Sequence, residues 1–152
     1  MMFSSSHADL VRARKSADAA ACGIDDAFIA ELVEGFYDTV RRDSRLGPIF
    51  ARQVKDWPLH LARMKDFWAS IMIESGRFSG SPMQKHIAIG GLEAADFAHW
   101  QLLWDQTLTR LAPDPVVRDR FREAARRIGE SLLMGIEIDR DGLAAISAQK
   151  PT

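Results

Sequence analysis

A chain of 152 residues fits one domain and carries enough sequence to bury one sizeable core. Apolar residues make up 47% and charged residues 27%, and twenty basic side chains against twenty-one acidic ones leave a net charge of −1, which lends no support to a polyanion-coating role. The single cysteine, Cys22, excludes an internal disulfide framework and a multi-cysteine zinc or iron–sulfur site.

No run approaches about eighteen consecutive apolar residues, so no membrane span is expected. The opening MMFSSSHADLVRARKSADAAA has no apolar block of secretory type and contains Asp9 and Asp18, so a cytoplasmic setting is expected. Residues 1–22 are rich in alanine and serine with a weak apolar pattern; they read as a loose N-terminal arm, with room for a short helix, ended by Gly23. A helix is predicted from about Asp25 to Arg42, with Asp25 as N-cap and Ile24 and Ile29 as a hydrophobic staple. Ile29, Leu32, Val33, Phe36, Tyr37 and Val40 form its apolar stripe. Gly47-Pro48 opens a tight turn or short helix carrying Ile49 and Phe50.

A second long helix is predicted from near Asp56, since Pro58 is tolerable only in a first turn, where no N–H is needed. Trp57, His60, Leu61, Met64, Phe67, Trp68, Ile71 and Met72 recur along it at three- and four-residue steps, and Gly76 closes it. Ser81-Pro82-Met83-Gln84 has the pattern of a capping box with proline at the first helical position; Gly90-Gly91 stops this short helix within about two turns, with His86 inside it. A third long helix runs from about Glu93 to Leu111 on a stripe of Phe97, Trp100, Leu103, Trp104, Leu108 and Leu111, broken by Pro113 and Pro115. A fourth is predicted from about Val116 to Ile138, with Val117, Phe121, Ala124, Ile128, Leu132 and Gly135 facing inward. The domain is therefore read as residues 23–139, followed by a frayed tail over 140–152. No segment alternates as a half-buried strand and there is no internal repeat. The prediction is all-α: four long amphipathic helices that must bury their stripes on one another.

One feature does not follow from core packing. The helix around His86 is poor in large apolar residues, yet it is capped at one end and stopped by two glycines at the other. Binding of a metal or cofactor would stabilise an element that cannot hold itself. His60 interrupts the apolar stripe of the preceding helix, Tyr37 interrupts that of the first, and Trp100 opens that of the third. Oily walls, a few polar groups and one metal-ligating histidine describe a haem pocket.

The strings FYDTVRRDSRLGPIF (36–50), DWPLHLARMKDFWASIM (56–72), SGRFSGSPMQKHIAI (75–89) and DFAHWQLLWDQTL (96–108) resemble the truncated haemoglobins of group III, over roughly residues 24–135. The resemblance implies a truncated globin fold, with about four long helices around haem b and a short helix for the proximal histidine. It implies His86 as the iron ligand, Phe50 packing on the haem face, Met64 where the family usually has an aliphatic distal residue, and Trp68 packing beside the haem. Tyr37, His60 and Trp100 become the polar groups of the distal pocket. The ligands implied are O2, NO or other small diatomic molecules. Redox chemistry such as NO dioxygenation or peroxide reduction would need an external electron-donating reductase, because the chain has no dinucleotide or flavin motif. The arm before residue 23 is longer than the fold needs, and the segment after 139 has no counterpart in the family pattern.

The remaining candidates have plainer readings. Trp57 and Trp104, and mainly Trp68 as well, are expected to pack. His99 points about 100° away from Trp100 on a helix, and His7 lies in the arm; neither is given a function. A zinc site from His60, His86 and His99 is disfavoured by the lack of HxxxH spacing. Arg118, Arg122 and Arg126 share a helix face with Asp119, Glu123 and Glu130 interspersed, as on a solvated surface. The alternative function is a haem-free helical interaction module using that arginine face. Neither a nucleic-acid nor a membrane partner is expected.

Overall fold

The computed structural model describes His7 and residues 9–11, 23–73 and 76–149, with side chains described as far as residue 142. From Gly23 onward these residues form six helices: α1 (Asp26–Arg42), α2 (Leu46–Gln53), α3 (Trp57–Ile73), α4 (Pro82–Ile89), α5 (Ala94–Leu111) and α6 (Pro115–Gln149). The arm expected over residues 1–22 falls almost wholly outside the described residues; His7 and residues 9–11 are helical there and exposed. Cys22 also lies outside them.

Each helix start has a local cause. Asp25 is extended and its Oδ1 accepts the Phe28 N–H at 2.8 Å, while Ile24 and Ile29 on either side of it are both buried. Asp43 ends α1 and starts α2: its Oδ2 accepts from the backbone N–H of Arg45 at 3.0 Å and of Leu46 at 2.8 Å. Asp56 Oδ1 accepts the Leu59 N–H at 3.1 Å, with Pro58 in the first turn of α3. Ser81 caps α4 through the Gln84 N–H, and Pro82 holds its first position. These contacts satisfy N–H groups that helix ends leave without partners.

The packing is a two-layer arrangement. Helix α1 packs on both α3 and α5, α5 packs on α6, and the small helices sit at the edges: α2 against α1 and α5, α4 against α6. Trp104, Phe36 and Phe121 are the largest fully buried side chains. Trp104 stacks on Trp68 with centroids 4.4 Å apart and on Trp100 at 6.2 Å, and its indole N–H donates to the Phe121 carbonyl at 3.2 Å. A large aromatic buries about 150–250 Å², so this column of tryptophans dominates the core.

The last helix departs from expectation. It continues through Gln149, past Ile138 and into the residues read as a frayed tail, of which 150–152 lie outside the described residues. The apolar stripe lapses there, which removed the periodic signal. Yet residues 139–149 contain no proline and only one glycine, Gly142, so nothing stops a helix already formed from propagating.

Candidate functional site

An aromatic cluster is built where α1, α2 and α3 meet. Tyr37 comes from the inward face of α1, Phe50 from α2, and Trp57 and His60 from the first turn of α3. The ring centroid of Tyr37 lies 5.0 Å from His60, 5.6 Å from Phe50 and 5.9 Å from Trp57; His60 lies 6.3 Å from Phe50 and 5.6 Å from Trp57. Three of the predicted site residues, Tyr37, Phe50 and His60, are therefore brought together. Trp57, read from sequence as packing, is a fourth member. The signal was present, since position 57 is three before 60 and shares its helix face. Arg41 closes the outer side of Trp57, its guanidinium carbon 4.4 Å from the ring centroid.

Met64, one turn after His60, and Trp100 are half-buried against the core. Trp100 meets Phe36 edge-on at 6.0 Å and lies over Trp104. Trp68 is only 3% exposed and is held by its stack on Trp104.

Burial sets the electrostatics. It pushes the Tyr37 phenol well above its usual range, so the hydroxyl keeps its proton at any physiological pH. Burial also lowers the His60 imidazole, and the positive charges of Lys85 and Arg63 lower it further, so His60 is neutral near pH 7. Among the described residues, His60 Nε2 is the one buried side-chain nitrogen or oxygen without a hydrogen-bond partner. Such an atom is costly to leave unpaired.

On α4, His86 Nδ1 lies 2.6 Å from the Pro82 carbonyl oxygen, one turn back along the helix. A carbonyl only accepts, so Nδ1 carries the proton and Nε2 keeps its lone pair. This is the tautomer, and the supporting bond, that a metal-ligating histidine uses. An iron porphyrin requires one such lone pair, apolar walls, and a few polar atoms facing the open coordination position. The lone pair of His86, the unpaired His60 Nε2, the Tyr37 hydroxyl and the walls from Phe50, Met64 and Trp100 fit that group.

Other candidates resolve differently. His99 Nε2 pairs with Asp43 Oδ1 at 2.8 Å, tying α5 to the α1–α2 turn, and Arg45 Nε adds a 2.9 Å bond to Asp96. Burial alone would raise the Asp43 carboxyl, but the bonds from His99, Leu46 N–H and Arg45 N–H hold it below the usual carboxylate range. On the arginine face, Arg126 pairs with Glu123 and Glu130, and Arg122 with Asp105 and Asp119, so those charges are largely matched within the chain. A groove of about 510 Å³, walled by Glu31, Glu34, Tyr37, Asp38, Trp57 and Arg110 among others, borders the cluster through Tyr37 and Trp57 but includes neither His60 nor His86. Among the described residues, no helix is long and apolar enough to cross a membrane.

No family-level sequence model matches the chain. A group 3 truncated haemoglobin of Campylobacter jejuni is 34% identical over 89 residues, covering 56% of this chain and 70% of that relative. The crystal structure of a group III truncated haemoglobin from the same organism superposes with a TM-score of 0.70 at 27% identity, covering 74% of this chain and 91% of that one. With that share of a relative matched at that identity, and with the fold matched as well, the chain belongs to the group III truncated haemoglobins.

Proposed function

We propose that this protein binds haem b through His86 and retains O2 or a related diatomic ligand in a pocket formed by Tyr37, His60 and Trp100. The observation that carries this reading is the hydrogen bond from His86 Nδ1–H to the Pro82 carbonyl, which leaves Nε2 free to coordinate. Haem, when bound, supplies an iron with an open position for a diatomic ligand.

The chain's own residues do the rest. Proline at 82 starts α4 and aims its carbonyl at residue 86, fixing both the tautomer and the ring orientation of the ligand. Phe50, Met64 and Trp100 supply apolar walls that exclude water, and Trp68 supports them from the core. The Tyr37 hydroxyl, which keeps its proton, donates to the polar end of a diatomic guest, with Trp100 as a second donor. Neutral His60 offers a nitrogen that nothing else in the described fold satisfies. A hydrogen bond to a charged acceptor is worth about 1.5–3 kcal/mol, so two donors slow ligand escape by orders of magnitude. Such a pocket suits holding a ligand for chemistry or sensing better than delivering it.

The purified protein is expected to be red, with an intense absorption band in the blue-violet. His86→Gly should lose that band and regain it on addition of free imidazole. A His86→Gly protein with an unaltered spectrum would overturn the assignment. We extend the reading to redox turnover, NO dioxygenation or peroxide reduction, with electrons from a separate reductase. Mixing the reduced, oxygen-equilibrated protein with NO tests this: ferric haem and nitrate in equal amounts are expected, and slow or absent conversion counts against it.

A further inference from the structure

We propose that the α6 segment from Gly135 to Arg140 is the seat that sets the position of the His86 imidazole, with Gly135, Met83 and Arg140 acting as positioning residues for the iron–imidazole bond. This rests on His86 as the haem ligand.

Helix α4 has little else to hold it. It is eight residues long and none of them is fully buried, and the helix it packs on is α6. After it come Gly90 and Gly91, both in the left-handed region at φ 71° and 75°, which on their own make a compliant turn. Two contacts with α6 remove that slack. The first lies one turn before the ligand. Met83 and His86 are three residues apart on α4 and share a face, and the Met83 thioether fills the space that a side chain at 135 would occupy. A Cβ there would overlap the Met83 sulfur and lie 2.6 Å from its methyl carbon. The second lies just beyond the ligand. Arg140 Nη2 donates to the Leu92 carbonyl at 2.7 Å, and Leu92 itself is buried. Helix α6 thus meets the short helix near its start, through Met83, and holds the chain just past the Gly90-Gly91 turn, through Leu92, from positions five residues apart.

The consequence is mechanical. Met83 is the side chain that must give way when position 135 gains a side chain, and its displacement acts on the face of α4 that also carries His86. The height and tilt of the imidazole then follow from the registry of α6 against α4, and the ligand affinity of the iron follows in turn. Arg140 lies in the stretch that carries α6 past Ile138, which gives that extension a task.

The test is resonance Raman spectroscopy of the ferrous, ligand-free holoprotein, reading the iron–imidazole stretching band. Gly135→Ala is expected to shift the band, and adding Met83→Ala to it, which reopens the space, to return it toward the wild-type frequency. Arg140→Met should shift or broaden the band, and Arg140→Lys, which keeps a donor, should do so less. Should Gly135→Ala fail to fold, the Arg140 pair carries the test, since that side chain is at the surface. Wild-type frequencies in the folded variants overturn the inference, including the case in which they lose thermal stability, because that is packing alone. Absence of the band from the wild-type protein would instead sink the assignment of His86.

Discussion

Tyr37→Phe separates ligand retention from fold stability. The side chain is 6% exposed, its ring is gripped by Phe36, Phe50, Trp57 and His60, and the substitution keeps every one of those ring contacts. Only the hydroxyl is lost. Among the described residues nothing accepts its proton, so deleting it breaks no internal bond, and the fold should change in stability by less than about 1 kcal/mol. A donor to a partly charged guest is a different matter. Losing about 1.5–3 kcal/mol of interaction corresponds to roughly 10- to 150-fold faster ligand loss, at about 1.4 kcal/mol per tenfold. Stopped-flow replacement of bound O2 by excess carbon monoxide measures the rate directly, and thermal unfolding of the same samples measures stability. A rate within about twofold of wild type, equivalent to about 0.4 kcal/mol, would refute the donor role.

Further outcomes follow from other parts of the molecule. The His60 imidazole titrates below its unfolded value near ~6.5, so the unfolded chain takes up the proton first; the stability owed to the neutral ring is complete above that value and is lost as pH falls from there through the depressed folded value. Urea unfolding across that range should show a steeper acid loss in wild type than in His60→Leu, and parallel curves would contradict the burial argument. Asp43 behaves as a depressed carboxylate: its contribution is present above about 3.9 and disappears as pH falls through the lower folded value. Asp43→Ala should cost roughly 1–3 kcal/mol in denaturant titration at neutral pH, because it strands His99 and two backbone N–H groups; a neutral effect would show that this network is not structural. Trp104→Ala should cost about 3–5 kcal/mol by the same measurement, and a loss under about 1 kcal/mol would mean that the tryptophan column repacks.

The three long helices α1, α3 and α5 were legible because each buries one face, and a buried face imposes a three- and four-residue rhythm on the sequence. Local chemistry was equally legible. The Asp25 cap and the Ser81-Pro82 start both join residues within one turn. What crosses between helices was not. No spacing says that Tyr37 and His60, twenty-three positions apart, meet at 5.0 Å, and only the family resemblance placed them together. Gly135 read as an inward residue of the last helix, but the sulfur it accommodates comes from position 83. The pairing of His99 with Asp43 was invisible for the same reason, since it depends on how α5 docks on the α1–α2 turn. The end of α6 was misjudged because helix propagation needs no apolar stripe.

The stacked indoles have an optical consequence. Trp68, Trp104 and Trp100 form a column that ends in the wall of the proposed haem cavity, and Trp57 sits beside His60 at another edge of it. All four emitters of this chain are thereby held close to the absorber. The loaded protein should be nearly dark under ultraviolet excitation and brighten as the pigment leaves, so a fluorimeter alone can follow the cofactor's departure and return.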